Sequence, residues 1–195
     1  TEYDYSQLSP NMLYFGYNLD LSSDGSVLVI AERLYSTSGT NREGRFVFYK
    51  WDGTSWSSMG EVVNDVNNLN AYECKLSSDG LTMVMGSWNY TGNMVRQGLV
   101  RVYRYNSSNN SWNKIGADIV GTRGNSFSGK KVAISSNGNI VAVQHERGGN
   151  NQQGSVSVYE YDSSANQWSS IGNELVGLER NDFFGSGLDL SGDGN

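Results

Sequence analysis

A short pattern, Leu or Ile followed by Ser-x-Asp/Asn-Gly, returns four times along this chain, at Leu21–Gly25, Leu76–Gly80, Ile134–Gly138 and Leu190–Gly194. Its glycines lie 55, 58 and 56 residues apart. Two further anchors keep the same step. Trp56, Trp112 and Trp168 are each followed four residues later by Gly60, Gly116 and Gly172. A glycine also opens Gly44-Arg-Phe-Val-Phe-Tyr49, Gly98-Leu-Val-Arg-Val-Tyr103 and Gly154-Ser-Val-Ser-Val-Tyr159. Three anchors on one period define an internal repeat, and such a unit must stack on its neighbours to bury a core.

Each period reads as four strands. In Asn18–Ser22, Leu19 and Leu21 alternate with Asn18, Asp20 and Ser22, the period of two of a strand with Leu19 and Leu21 turned inward. The pairs Asp24-Gly25, Asp79-Gly80, Asn137-Gly138 and Asp193-Gly194 predict two-residue hairpin turns into a second strand, at Val27–Ala31, Met83–Gly86 and Ile140–Val143. A Gly/Asn/Ser/Thr-rich loop of about a dozen residues leads to the third strand, where Val100/Val102 and Val156/Val158 alternate with polar residues. The tryptophan of each copy opens the fourth strand, running to Val63, Val120 or Val176. With 24 glycines, one proline and no helical periodicity, the chain is expected to be all-β.

A repeat of four antiparallel strands is the blade of a β-propeller. The predicted organisation is an outer strand of a preceding blade at 1–14, containing Tyr3-Asp-Tyr5, then blades at 15–71, 72–126 and 127–183, and the first strand of a further blade at 184–195. About three blades plus flanking strands fall short of the roughly four to eight that close a ring. The chain is therefore expected to be a piece of a longer polypeptide, with several chains completing one disc as the alternative. Cys74 is the only cysteine, and its slot holds Leu19, Val132 and Leu188 in the other copies, so core packing is expected for it.

The block Phe184-Gly-Ser-Gly-Leu-Asp-Leu-Ser-Gly-Asp-Gly-Asn195, with Phe15-Gly16 in the same place, resembles the FG-GAP repeat of integrin-α-like propellers. The fuller pattern of Leu-Ser-x-Asp-Gly, Gly-x-Val-x-Val-Tyr and Trp-x-x-Ile-Gly is similar to repeats in secreted or surface-displayed proteins of algae, protists and marine microbes. The resemblance implies calcium in an Asp-x-Asn/Asp-x-Asp-Gly-x-x-Asp loop. Asp20-x-Ser22-x-Asp24-Gly25 and Asp189-x-Ser191-x-Asp193-Gly194 match its first half only. Leu28 stands at the last carboxylate position of the first copy, and Lys75 and Ala133 replace the first carboxylate in the second and third. Too few hard oxygens remain, so no metal and no other cofactor is expected.

Recurring aromatics, such as Trp56, Trp112, Trp168, Tyr49, Tyr103 and Tyr159, are expected to fill one blade-to-blade niche. Residues that vary between copies are better binding candidates, and they cluster in the loops between second and third strands: Arg33, Tyr35 and Arg42, then Trp88, Tyr90 and Arg96, then His145, Arg147 and Gln152. The chosen ligand-binding set is Trp88, Tyr90, Arg96, His145 and Arg147. His145 is the only histidine, with no Gly-x-Ser-x-Gly elbow beside it, and Glu146, Glu160, Glu174 and Glu179 read as solvated acids. The chain is thus expected not to be an enzyme. A net charge of −6 argues against nucleic acid, and the longest apolar runs are far too short to span a bilayer. Sequons at Asn89, Asn106 and Asn109 fit glycan acceptors on an extracellular or cell-surface protein. The expected function is a structural and protein-interaction platform for adhesion or filament building. Its partners would be other proteins or copies of itself. The alternatives are a glycan-binding, lectin-like propeller and part of a carbohydrate-active propeller enzyme.

Overall fold

A computed structural model describes residues 14–37, 43–64 and 69–194. Among these there is no helix; twelve strands form three four-stranded antiparallel sheets, each a meander in chain order. Blade 1 holds β1 (Phe15–Leu21), β2 (Val27–Glu32), β3 (Arg45–Trp51) and β4 (Trp56–Val63). Blade 2 holds β5 (Glu73–Leu76), β6 (Thr82–Ser87), β7 (Leu99–Asn106) and β8 (Ser111–Val120). Blade 3 holds β9 (Ser128–Ile134), β10 (Ile140–His145), β11 (Ser155–Asp162) and β12 (Gln167–Val176). The predicted outer strand at 1–14, with Tyr3 and Tyr5, lies outside the described residues apart from Tyr14.

The blades stack face to face, and apolar side chains of each leading face fill the gap to the blade before it. Cys74, Leu76, Tyr103 and Trp112 of blade 2 pack with Val29, Phe46, Phe48 and Met59 of blade 1. Val132, Val141, Val143 and Trp168 of blade 3 pack with Val84, Val100, Val102 and Ile119 of blade 2. Leu188 and Leu190 continue the pattern onto Ala133, Ala142 and Val156. The tryptophans close each gap with a hydrogen bond: Trp112 Nε1 donates to the Met59 carbonyl at 3.2 Å, and Trp168 Nε1 to the Ile115 carbonyl at 3.1 Å. Cys74 is fully buried against Asn18, and burial pushes its thiol pKa up.

Backbone contacts explain the other anchors. Ser23 N donates to Ser78 O at 3.0 Å, Ser78 N to Ser136 O at 3.0 Å, and Ser136 N to Gly192 O at 2.8 Å. The Ser-x-Asp/Asn-Gly turns thereby hand one hydrogen bond from blade to blade. Gly98 has φ +79°, and a Cβ there would lie 2.1 Å from Ser128 O, because the start of the next blade crosses directly over it. Gly116 combines φ +69° with the Trp168 ring, which would sit 2.4 Å from a Cβ.

Two local expectations are corrected. The Asp-Gly turns are not two-residue hairpins, for only the glycine has positive φ and the loop between Ser22 and Val27 holds four residues. The cause is the Ser–Asp pair: Asp24 Oδ1 accepts from Ser22 Oγ at 2.6 Å and Ser26 N at 2.9 Å, as Asp79 does from Ser77 and Leu81. Leu19 and Leu21 are not inward-facing; they are 57% and 48% exposed. Asn18 and Asp20 instead turn toward blade 2, accepting from Cys74 N and Leu76 N. Leu19 and Leu21 occupy the leading face of blade 1, which no described blade covers.

Candidate functional site

The loop residues chosen from the sequence fall into two groups. Trp88 lies in a row of rings, 4.9 Å from Tyr72 and 5.6 Å, edge-on, from Phe127. Cations flank the row. Arg147 stands 5.1 Å over Phe127, and Arg33 stands 4.4 Å over Tyr72 while donating to its hydroxyl at 2.8 Å. Trp88 and Arg147 are therefore brought to one rim through Phe127, with much of the Trp88 ring engaged in packing. Tyr90 packs on the core between blades 1 and 2, and Arg96 is exposed, its carbonyl accepting from Phe127 N at 3.1 Å. Arg42 lies outside the described residues.

His145 is separate from that rim and buried, at 8% exposure. It ends β10, with Ser128 of β9 opposite on one side and Ser155 of β11 on the other. Nδ1 meets Ser128 Oγ at 2.6 Å, and Nε2 meets Ser157 Oγ at 3.1 Å. Ser128 Oγ also lies 3.2 Å from Ser126 Oγ, which faces the Gln97 carbonyl at 2.8 Å and the Arg123 carbonyl at 2.9 Å. Carbonyls only accept, so the Ser126 proton goes to one of them, and the single Ser128 proton goes either to Ser126 or to His145 Nδ1. The arrangement that makes every one of these contacts a hydrogen bond has Ser128 donating to Ser126, Nδ1 carrying the hydrogen and Nε2 accepting from Ser157. Burial lowers the His145 pKa, with Glu174 opposing, so the ring is held neutral.

Ser157, His145, Tyr159, Ser170, Asn173 and Glu174 line a cavity of about 230 Å³, with Thr122 of the following loop of blade 2 on its rim. Glu174 accepts from the Ser155 hydroxyl, and burial raises the Tyr159 pKa. The neighbouring blades put ion pairs at the matching positions. Arg45 bridges Glu32 at 2.6 Å and Glu61 at 2.9 Å, and Arg101 binds Asp118 at 2.9 Å. Burial raises the Glu32 pKa, with Arg45 opposing. Blade 3 replaces these ion pairs by a neutral serine–histidine chain. Sequence reasoning found His145 but not Ser128, Ser157 or the partnership with Glu174. Their signal is that Ser157 stands where the aligned copies carry Val47 and Arg101, and His145 where they carry Glu32 and Ser87.

The carboxylates of the suggested calcium loop serve other partners. Asp24 binds its own turn, which lowers its pKa to about 2, and Asp20 faces Lys75 at 3.6 Å and the Leu76 amide. Among the described residues no three His, Cys, Asp or Glu side chains converge to hold a metal ion. The sequons Asn106, at the end of β7, and Asn109, in the β7–β8 turn, are exposed, and Asn89 is half-buried beside Ser87.

Blades of four antiparallel strands, stacked face to face and tied by repeated inner turns, define this chain as a β-propeller protein. No protein-family model matches the chain, and no curated protein matches it significantly. Among solved structures it is similar to a protein of Bacteroides fragilis described provisionally as a 6-phosphogluconolactonase, with TM-score 0.56 and 15% identity over 82% of this chain and 38% of that one. A second protein so described, from Bacteroides uniformis, gives 0.55 and 14% over 82% and 40%. Sqt1 from Chaetomium thermophilum gives 0.56 and 14% over 88% and 37%. The chain spans about two fifths of the length of these structures, and at such identities the likeness is one of fold. The two lactonase-like neighbours overturn the expectation that the chain is not an enzyme, since the same architecture is described as carrying hydrolase chemistry. The expectation failed because it looked for contiguous motifs, whereas a propeller gathers polar groups from strands and loops of different blades.

Proposed function

We propose that this chain serves as a structural and protein-interaction platform of an extracellular or cell-surface protein, and that it engages further blades of its own repeat through its two end faces. The observation that carries this reading is the apolar surface left at both ends of the stack. The leading face of blade 1 exposes Leu19, Leu21 and Trp56, at 57%, 48% and 43%. The far side of blade 3 exposes Ile171 and Leu175, at 38% and 56%. Large apolar side chains exposed together on one blade face point to an interaction site. Its occupant is named by the internal joints. Trp112 and Trp168 each donate to the carbonyl of the residue three after the preceding tryptophan, Met59 and Ile115. By the same offset Trp56 seeks such a carbonyl, and Ile171 offers one. Trp56 and Ile171 are the outer-strand halves of the joint that the chain already makes twice, whereas the inner-strand part on blade 3 is filled by its own Leu188 and Leu190. The exposed sequons and the acidic charge support an extracellular setting. Sedimentation equilibrium of the purified chain over a range of concentrations tests the reading. Concentration-dependent association is the expected result, and a strictly monomeric chain at about 100 µM, in the usual range of weak protein contacts, would overturn it.

A further inference from the structure

We propose that Ser157 is an activated nucleophile and that the cavity beside it accepts a small ester, with His145 as the general base. This goes beyond the platform role; of the end-face residues named above, Ile171 alone also lines the cavity. The geometry carries it. A serine and a histidine 3.1 Å apart at a cavity, with the far ring nitrogen held by a third group, form the constellation that activates a hydroxyl. In the arrangement that satisfies every contact, hydrogen bonds run from Ser157 through His145, Ser128 and Ser126 to a backbone carbonyl, and Nε2 is then the acceptor that takes the Ser157 proton. Ser128 is a positioning residue, acting through the ring. Thr122 and Asn173, whose hydroxyl and amide are of the donor type that stabilises an oxyanion, also line the cavity. The repeat does not demand this arrangement, since the aligned positions hold Val47 and Arg101.

The chemistry balances without a co-reactant other than water. Ser157 Oγ attacks the ester carbonyl carbon while its proton passes to Nε2. The carbon–alkoxy bond breaks, the alcohol leaves with the proton from Nε2, and an acyl-serine remains. Water then attacks that carbonyl and gives a proton to Nε2. The carboxylic acid departs, and Ser157 regains its proton. The cavity, at about 230 Å³, admits a short acyl group rather than a polymer.

The test treats the purified chain with a fluorophosphonate probe and with p-nitrophenyl acetate, and maps adducts by peptide mass spectrometry. Phosphonylation at Ser157 well above any other hydroxyl is expected, with Ser157→Ala abolishing it. His145→Gln keeps side-chain size and hydrogen bonding but cannot take up the proton, so labelling should slow by about 100-fold or more. Ser128→Ala should slow labelling about 10-fold with Ser128→Thr restoring it, a pattern that a purely structural contact would not give. Circular dichroism and thermal melting confirm that each variant is folded. If a variant at His145 unfolds, the wild-type adduct map alone decides. No adduct at Ser157, or equal labelling in a folded His145→Gln chain, would overturn the proposal.

Discussion

At the scale of single residues, the repeat is written in side chains that leave the backbone no alternative. Gly98 is the sharpest case, because positive φ and a carbonyl at 2.1 Å from its absent Cβ act together. Gly53 separates the two effects, having φ +102° with nothing within 4 Å. Gly98→Ala is therefore expected to destabilise the chain by about 3 kcal/mol and Gly53→Ala by about 1 kcal/mol, since the second meets only backbone strain. Urea denaturation of the two variants side by side checks this. Equal losses would mean that the crossing at Ser128 is looser than the structure has it. The same logic makes Gly44 and Gly154 intolerant, for Ala71 N and Phe184 N lie 2.3 and 2.4 Å from their absent Cβ atoms.

At the scale of the element, a fourth strand is tied in by its tryptophan, and the value of that tie depends on whether a blade precedes it. Trp112 is 8% exposed, stacks on Phe48 with ring centres 3.8 Å apart and donates to Met59 O. Trp56 sits at the same point of its blade at 43% exposure. Trp112→Ala is expected to cost about 3–5 kcal/mol, and Trp56→Ala less than about 1 kcal/mol, in the unassociated chain. Chemical denaturation at low concentration measures both, and a large loss at Trp56 would mean that its face is covered in solution. This contrast also marks what the sequence makes legible. Strand positions are local, carried by alternation and by anchors such as Trp112 and Gly98. Leu19 and Leu21 lie on a face that no described blade covers, so alternation alone assigned their burial wrongly. His145, Ser128 and Ser157 escaped notice as a set because their meeting rests on strand register. The pairing shifts between Val143 and His145 and again between Val156 and Val158. Such irregularities re-aim side chains in a way no spacing announces.

At the scale of the whole molecule, the two open ends differ from one another, and that decides the kind of assembly. The leading face exposes Leu19, Leu21 and Trp56, whereas the trailing face exposes Ile171 and Leu175 and has its inner part covered by Leu188 and Leu190. A joint between them is heterologous, head to tail, so it grows into a ring or a filament rather than stopping at a symmetric pair. Charge placed on one face should disable that face alone. Leu19→Glu would leave the trailing face intact, and Leu175→Glu the leading face. Each variant by itself should sediment as a monomer, because every joint needs one of each face. Their equimolar mixture should contain dimers and nothing larger, since the only competent pairing joins the Leu175 side of the first variant to the Leu19 side of the second. Analytical ultracentrifugation of the two variants and the mixture reads this directly. Dimers formed by either variant alone would mean that like faces pair, and the tryptophan-to-carbonyl joint would then not be the contact that holds the chains together.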